Sequence, residues 1–556
     1  MIVHRSVVLA FAFLLLGAGA ASARGDAPVC AASCKAAPAG SGALVVLSGH
    51  GWGHGVGMSQ YGAYGYAQHG WTFQQIATHY FPGTTLGPAP VARVRVLLAD
   101  GKKSLSVASD ADFTVKDGAG TVHPLTAGSY PFGPGLRIAT ADAAAPAPLP
   151  GPLTFTASAA APLQLGGKPY RGSLQVDVVN GKLRAIDVVG LEQYLYGVVP
   201  SEMPYTWAPE ALKAQAVAAR SYALSNRVVA APFDLYSDTR SQMYLGIAHE
   251  RPSTNTAVDA TAGQVLLYGG QVAHTYFFST SGGRTANAAD IWATGTPLPY
   301  LVAVADPYDS ISPYHDWGPF PFTGAALAKA FRVPGGVTDA QTTLNDSGRV
   351  ATLSLLGPQG QVDVPAGAVR TKLKLRSTWF DVGVLSLSRP LPVAPVEFGG
   401  AIQLSGVARG ITGVTLEQRP AGSTWQAVAA VVPAADGTVA IPAKPTVTTD
   451  YRLATTAVAA APVRIAVAPR IRFYADKTPG HLRGLVRPVL AGAPVEVQSQ
   501  DTGGVWTTVA TAAVDVNGDF DATLQLATGT YRARIAATKG FAAGTTPTLS
   551  VVTARR

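Results

Sequence analysis

One glutamate stands in surroundings suited to proton transfer. Glu202 lies in Pro200-Ser-Glu-Met-Pro-Tyr-Thr-Trp-Ala208, between two prolines that restrict the backbone, with Met203, Tyr205 and Trp207 supplying apolar surface around a single carboxylate. Taking a carboxyl out of water raises its pKa, so such a group arrives protonated at neutral pH and serves as a general acid. The helix start expected just downstream pulls the other way, because its positive end favours the anion. Sequence alone leaves the balance of these two effects open.

A second cluster of reactive side chains lies far upstream, in Gly49-His-Gly-Trp-Gly-His-Gly-Val-Gly-Met-Ser-Gln-Tyr-Gly-Ala63. The glycines permit close backbone approach, whether to a ligand or in a tight turn. His50 and His54 are therefore either hydrogen-bonded within a Gly-rich turn or free, with Gln60, to face a cleft. A zinc pair at four-residue spacing works on a helix; this segment does not read as one, and no adjacent Glu supplies a base. No metal and no other cofactor is expected.

The elements that must hold Glu202 are legible on either side of it. Pro209-Glu-Ala-Leu-Lys-Ala-Gln-Ala-Val-Ala-Ala-Arg-Ser-Tyr-Ala-Leu224 reads as a helix, with Pro in the first turn and alanines favouring the interior. Its small residues permit close packing. Lys213 either joins Glu210 and Arg220 in a solvated stripe with one ion pair or points into a cleft. Leu191-Glu-Gln-Tyr-Leu-Tyr-Gly-Val-Val199 reads as a shorter helix, with residues 200–208 as the joint. Much of the remaining chain alternates apolar and polar residues in short runs such as Ala92-Arg-Val-Arg-Val-Leu-Leu98 and Ser173-Leu-Gln-Val-Asp-Val-Val179. Broken by Gly, Pro and Asp, these are half-buried strands.

Length and composition bound the architecture. The chain has 556 residues, with 60 Gly, 41 Pro and 13% charged residues, more than one ordinary core organises. Its formal charge of +9 suits anionic polymers. The basic residues are dispersed and form no recognisable nucleic-acid module, and predicted export argues further against nucleic acid. Met1-Ile-Val-His-Arg5 is a short basic start, Val7 through Ala20 an apolar run, and Ala21-Ser22-Ala23 an A-x-A site, so residues 1–23 read as a signal peptide. No later stretch offers about 20 uninterrupted apolar residues, so no transmembrane anchor is expected after cleavage. The two cysteines, Cys30 and Cys34, fall in the leader 24–41, where a local disulfide and free thiols both fit.

The stretch Leu191 to Leu224, with Gly197-Val-Val-Pro-Ser-Glu-Met-Pro204 and Ala211-Leu-Lys-Ala-Gln-Ala-Val-Ala-Ala-Arg220, resembles the signature of the SpoIID/LytB family of stage II sporulation protein D and amidase enhancers. Asp238-Thr-Arg-Ser-Gln-Met-Tyr-Leu-Gly246, Phe278-Ser-Thr-Ser-Gly-Gly-Arg-Thr285, Asp306-Pro-Tyr-Asp309 and Leu375-Arg-Ser-Thr-Trp-Phe380 resemble later blocks of the family. The Gly49–Ala63 block resembles the one that usually closes the domain, so the order looks circularly permuted. Residues 49 to 86 are then expected to fold against the Leu375 region.

The resemblance implies a secreted, wall-associated lytic transglycosylase that cuts peptidoglycan glycan strands between N-acetylmuramic acid and N-acetylglucosamine without water. Glu202 falls on the family's catalytic glutamate. Lys213, Gln242, Tyr244, Ser279 and Ser281 in the matching blocks are expected to bind substrate, with His50, His54 and Gln60 on the same cleft. Some relatives hold zinc partly through cysteines; residues 42–385 contain none. A hydrolase would need a second carboxylate about 5 to 9.5 Å away. Glu192, Glu210 and Asp238 are candidates by proximity in sequence, and each also has simpler uses in helix ends, ion pairs or turns. The rival reading is a noncatalytic wall-binding enhancer of an N-acetylmuramoyl-L-alanine amidase, which would make a cell-wall amidase a partner.

The fold class expected is α+β and predominantly β: a SpoIID-like catalytic domain with few helices over 42–385, divided into 42–89, 90–190 and 191–385. Two all-β, sandwich-like repeats follow at 391–475 and 476–556. Gly406, Trp425, Gly437 and Tyr451-Arg452 in the first copy recur as Gly484, Trp506, Gly518 and Tyr531-Arg532 in the second. The Trp and Tyr of each copy are expected as core anchors.

Overall fold

Asn180 and Gly181 set the register of the largest sheet. Both take positive φ, 50° and 71°, the geometry of a two-residue hairpin turn, and they join Ser173–Val179 to Lys182–Gly190 with Val179 opposite Lys182. Lys182–Gly190 pairs on its other edge with Arg93–Lys102, and the sheet extends to seven strands. Alternate residues Leu174, Val176, Leu183, Ala185, Val94 and Val96 face a common core. The computed structural model describes residues 42–141, 145–228, 231–292, 298–478 and 480–552. The predicted signal peptide, the leader, Cys30 and Cys34 lie outside them.

The described residues form a mostly β protein with many small sheets and eight α-helices. Five helices concern the site: α1 (Gln60–Gln68), α2 (Phe73–Tyr80), α3 (Leu191–Glu202), α4 (Pro209–Ser225) and α5 (Pro252–Ala260). α4 is buried from Ala211 to Leu224 except at Lys213, because its alanines let α1, α2, α3 and α5 pack closely around it. α3 leaves the sheet directly at Gly190. Sequence reading ends this helix at Val199, but it runs through Pro200 to Glu202. Pro200 sits in the last turn, and the Ser201 hydroxyl donates to the Gly197 carbonyl there (3.1 Å). Glu202 therefore stands on a helix end and not in a free joint.

The strand Leu44–His50 is buried on both faces. Val45 and Leu47 enter a core with Trp317, Leu327, Leu353 and Phe380, while Leu44 and Val46 enter another with Leu385, Leu404, Leu416 and Tyr451. The strand lies between Asp316–Thr323 and Phe380–Ser388. Phe380–Ser388 pairs in turn with Ile402–Arg409. One five-stranded sheet thus runs through the composition change near residue 390 and into the first tail repeat. The Gly/His block meets the Leu375 region directly: Gly53 N–H donates to the Arg376 carbonyl (3.1 Å) and the Ser377 hydroxyl to the His50 carbonyl (2.6 Å).

The first tail repeat contributes strands to four sheets, one of them the five-stranded sheet shared with the preceding domain, and the second to two. Tyr451 and Tyr531 are core residues, each 4% exposed. The two tryptophans are not, which corrects the sequence expectation. Trp425 and Trp506 are half-exposed, and each is covered by the guanidinium at the matched position, Arg452 at 4.0 Å and Arg532 at 4.1 Å. Stacking with arginine replaces core burial there.

Candidate active site

Glu202 ends α3 with its carboxylate among half-buried and buried groups. Its Oε1 accepts the Met243 N–H at 3.3 Å, and the side-chain amide of Gln60 donates to its backbone carbonyl at 2.7 Å. Burial pushes the carboxyl up to about 7 from an ordinary 4.5, partly offset by the Met243 N–H. Its charge also reaches the buried hydroxyls of Tyr194 and Tyr222, whose pKa values it helps to raise. Being at the C-terminus of α3, the carboxylate faces the negative end of a helix dipole, which disfavours the anion further. The opposing effects left open by the sequence are thus weighted towards the protonated form. A group titrating near neutrality suits both proton donation and proton uptake.

None of the three nearby carboxylates is available as its partner. Glu192 is held by the fully buried Arg220 at 2.5 and 3.1 Å and by the Gly263 N–H at 3.0 Å. Glu210 takes the Lys213 ammonium at 2.6 Å and the Phe73 N–H at the start of α2 at 2.7 Å. Asp238 is paired with Arg240 at 2.7 Å. Each forms an ion pair of its own and none bonds to Glu202.

The residues expected to bind substrate separate into two groups. Gln60 reaches the site, being buried between Glu202 and Gln215, whose Oε1 lies 3.4 Å from its amide nitrogen. Gln242 does too: it precedes Met243, accepts the Tyr194 hydroxyl on Oε1 at 3.1 Å and keeps a buried, unpaired Nε2. Gln215 also keeps an unpaired Nε2. The site therefore carries two buried amide donors with no hydrogen-bond partner among the described residues.

The other candidates make bonds of their own within the fold. Tyr244 is 3% exposed and donates to the buried Asp187 at 2.8 Å, so it belongs to the core beneath the site. Ser281 is fully buried; its N–H donates to Asp309 at 2.9 Å and its Oγ accepts from Gly283 N–H at 3.0 Å. Lys213 is committed to Glu210. His54 accepts the Val56 N–H on Nδ1 (3.1 Å) among Tyr276, Phe278 and Trp292. Burial and the charges of Arg370 and Arg349 push it down to about 3, so it stays neutral. His50 pairs with Asp316 at 2.6 Å and tilts against Trp379. Neither imidazole bonds to Glu202, Gln60 or Met243. Ser279 is half-buried, and its carbonyl accepts the Tyr61 N–H at 3.0 Å.

Sequence reading missed the device that fixes the Gly/His block. Asp309, fully buried, accepts from the Ser59 hydroxyl (2.7 Å), the Ser281 and Gly282 N–H groups (both 2.9 Å) and lies 3.1 Å from His315 Nδ1. Ser59 in turn caps α1 through the Gly62 N–H. Beside it Asp306 is pushed up to about 7 by burial and by Asp309, and holds the Tyr80 hydroxyl at 2.9 Å. The Asp306-Pro-Tyr-Asp309 motif was visible; its pairing with Ser59, 250 residues away, was not. Among the described residues no group of three or more His, Cys, Asp or Glu is placed to hold a metal ion, and no helix is long and apolar enough to cross a membrane.

The profile of the Stage II sporulation protein family, SpoIID, matches residues 179–268, which carry Glu202, α4 and Gln242. Stage II sporulation protein D of Bacillus subtilis (strain 168) is 37% identical over 170 residues, covering 27% of this chain and 49% of the relative. That of Bacillus amyloliquefaciens is 31% identical over 227 residues, covering 37% and 64%. The amidase enhancer of Bacillus subtilis (strain 168) is 39% identical over 115 residues, covering 21% and 15%. The chain thus spans between 15% and 64% of the length of these relatives. A segment of two fibronectin type-III domains from chicken tenascin aligns with 30% of the chain and 97% of its own length, at 16% identity and a TM-score of 0.20, too low to bear on the fold. Residues 179–268, the segment that holds Glu202, thus carry a SpoIID family domain, similar to stage II sporulation protein D and the amidase enhancer.

Proposed function

We propose that the chain is an exported lytic transglycosylase that cuts peptidoglycan glycan strands, with Glu202 as its only acid and base. The observation that supports this best is a carboxyl pushed up to about 7, while Glu192, Glu210 and Asp238 are each held in an ion pair of their own. In the first half of the reaction the Glu202 carboxyl gives its proton to the oxygen linking N-acetylmuramic acid to N-acetylglucosamine, and the C1–O bond breaks. In the second, the carboxylate takes the proton of the sugar's own C6 hydroxyl as that oxygen bonds to C1. The products are an N-acetylglucosamine end and a 1,6-anhydromuramyl end; no water is consumed, and Glu202 is protonated again. The Gly/His block, read as circularly permuted, closes the site through Gln60.

Digestion of purified wall glycan followed by mass spectrometry tests this. Anhydromuramyl ends are the expected product; reducing ends that have gained water contradict it. The second reading, a noncatalytic partner of a wall amidase, draws support from the likeness to the amidase enhancer. It predicts stimulation of such an amidase that survives Glu202→Gln.

A further inference from the structure

We propose that a strip of half-buried rings, Trp207, Tyr64, Tyr61, Tyr314 and Trp52, ending at Arg376, is a track that holds the glycan strand beyond the bond being cleaved. This rests on the glycan reading of Glu202. Trp207, five residues past Glu202, stacks on Tyr64 at 4.6 Å and 10° and meets Tyr61 at 4.7 Å. Tyr61 directly follows Gln60, whose amide holds the Glu202 carbonyl, so the strip and the carboxyl share an anchor. The strip continues from Tyr61 to Tyr314 at 6.5 Å and to Trp52, edge-on, at 4.4 Å. The Arg376 guanidinium then lies over both Trp52 (4.8 Å) and Tyr314 (4.6 Å).

Three features point to a ligand. All six side chains keep part of their surface exposed, although rings gathered only for packing gain most by full burial. They come from the Gly-rich turn, α1, the 203–208 joint and two distant loops, so the strip is assembled by the fold and not by one element's periodicity. Arg376 has its guanidinium oriented by two rings and pairs with no carboxylate among the described residues. A chain of N-acetylated hexosamines answers all three: pyranose rings present flat C–H faces to aromatic rings, and their N-acetyl and hydroxyl oxygens accept from a guanidinium fork.

Glu202→Gln protein, titrated calorimetrically with N-acetylglucosamine oligomers from the disaccharide to the hexasaccharide, provides the test. Affinity should rise about tenfold or more with length, and Trp52→Ala, Tyr314→Ala and Arg376→Gln should each collapse that gain. Thermal melts check that each variant is folded. No binding by the parent, an unchanged gain in the folded variants, or an equal proportional loss at every length would overturn the track. Product analysis of the unsubstituted protein keeps the two ideas apart. Anhydromuramyl ends without a length gain sink the track alone; a length gain without such ends sinks the cleavage reading alone.

Discussion

The Gln60 side-chain amide donates to the Glu202 backbone carbonyl at 2.7 Å, across 142 residues of chain. That carbonyl lies in the last turn of α3, where helix geometry provides no donor of its own. The Gly/His block therefore caps the helix that presents the acid, and Asp309 places the cap by holding Ser59. This chain of contacts holds the backbone from which the Glu202 carboxyl projects and does not involve the carboxyl itself.

Removing the cap should misplace the acid without removing it. Gln60→Ala leaves a half-buried carbonyl without its donor, at a cost of about 1 kcal/mol, and on the proposed mechanism lowers turnover by about tenfold to a hundredfold through lost alignment. Thermal unfolding and steady-state kinetics read the two effects separately. Unchanged kcat would show that the contact is packing only.

The pH dependence follows from the raised carboxyls. The folded pKa of Glu202 lies near 7, above its unfolded value of 4.5, so the folded state binds more protons between those limits. Its contribution to stability is complete below about 4.5 and is lost as pH rises through about 7. Asp306 (about 7) and Asp187 (about 8) act in the same direction. Activity should fall above about pH 7 with a single limb, since cleavage begins with the protonated acid. An acidic limb that disappears on replacing another carboxylate would reveal a catalytic partner. Glu202→Gln should make the stability curve less steep across the same window, with the Asp306 and Asp187 contributions remaining.

Much of the site was legible because its signals are local. The prolines and aromatics around Glu202, the alanines of α4 and the alternation around Asn180-Gly181 each act within a few residues. What escaped depends on contacts between distant segments. Nothing near Ser281 or Tyr244 announces that their polar atoms are taken by Asp309 and Asp187, and nothing near Trp425 announces that Arg452 will cover it. The strand Leu44–His50 reads as one apolar run; that its two faces serve two cores follows only from the sheet around it.

That double burial bears on where the chain can be cut. The change of composition near residue 390 invites a chain ending at Leu385, yet Leu44, Val46 and Leu385 would then lose Leu404, Leu416 and Tyr451, and Phe380–Ser388 would become an open edge. Such a protein should aggregate or melt well below the full chain, whereas a cut after Pro469 should preserve the sheet. Equal melting temperatures for the full chain and the shorter cut would show that the shared core contributes nothing.

The contrast between Glu202 and Glu192 separates the chemistry from the scaffold. Glu202→Gln keeps the volume of the side chain and can still accept the Met243 N–H, but has no proton to give the glycosidic oxygen. On the proposed mechanism one group serves both halves of the reaction, so the loss should reach or exceed the upper end of the usual range of about 10²- to 10⁴-fold, with the melting temperature kept or raised because a costly buried acid is gone. Glu192→Gln does the reverse. It leaves the fully buried Arg220 without its counter-charge, a loss of about 3 to 5 kcal/mol for an enclosed pair and less here because Glu192 remains partly hydrated. The protein that stays folded should still release anhydromuramyl ends. If Glu192→Gln abolishes cleavage while the melting temperature holds, Glu192 is a catalytic partner and the one-carboxyl mechanism is wrong.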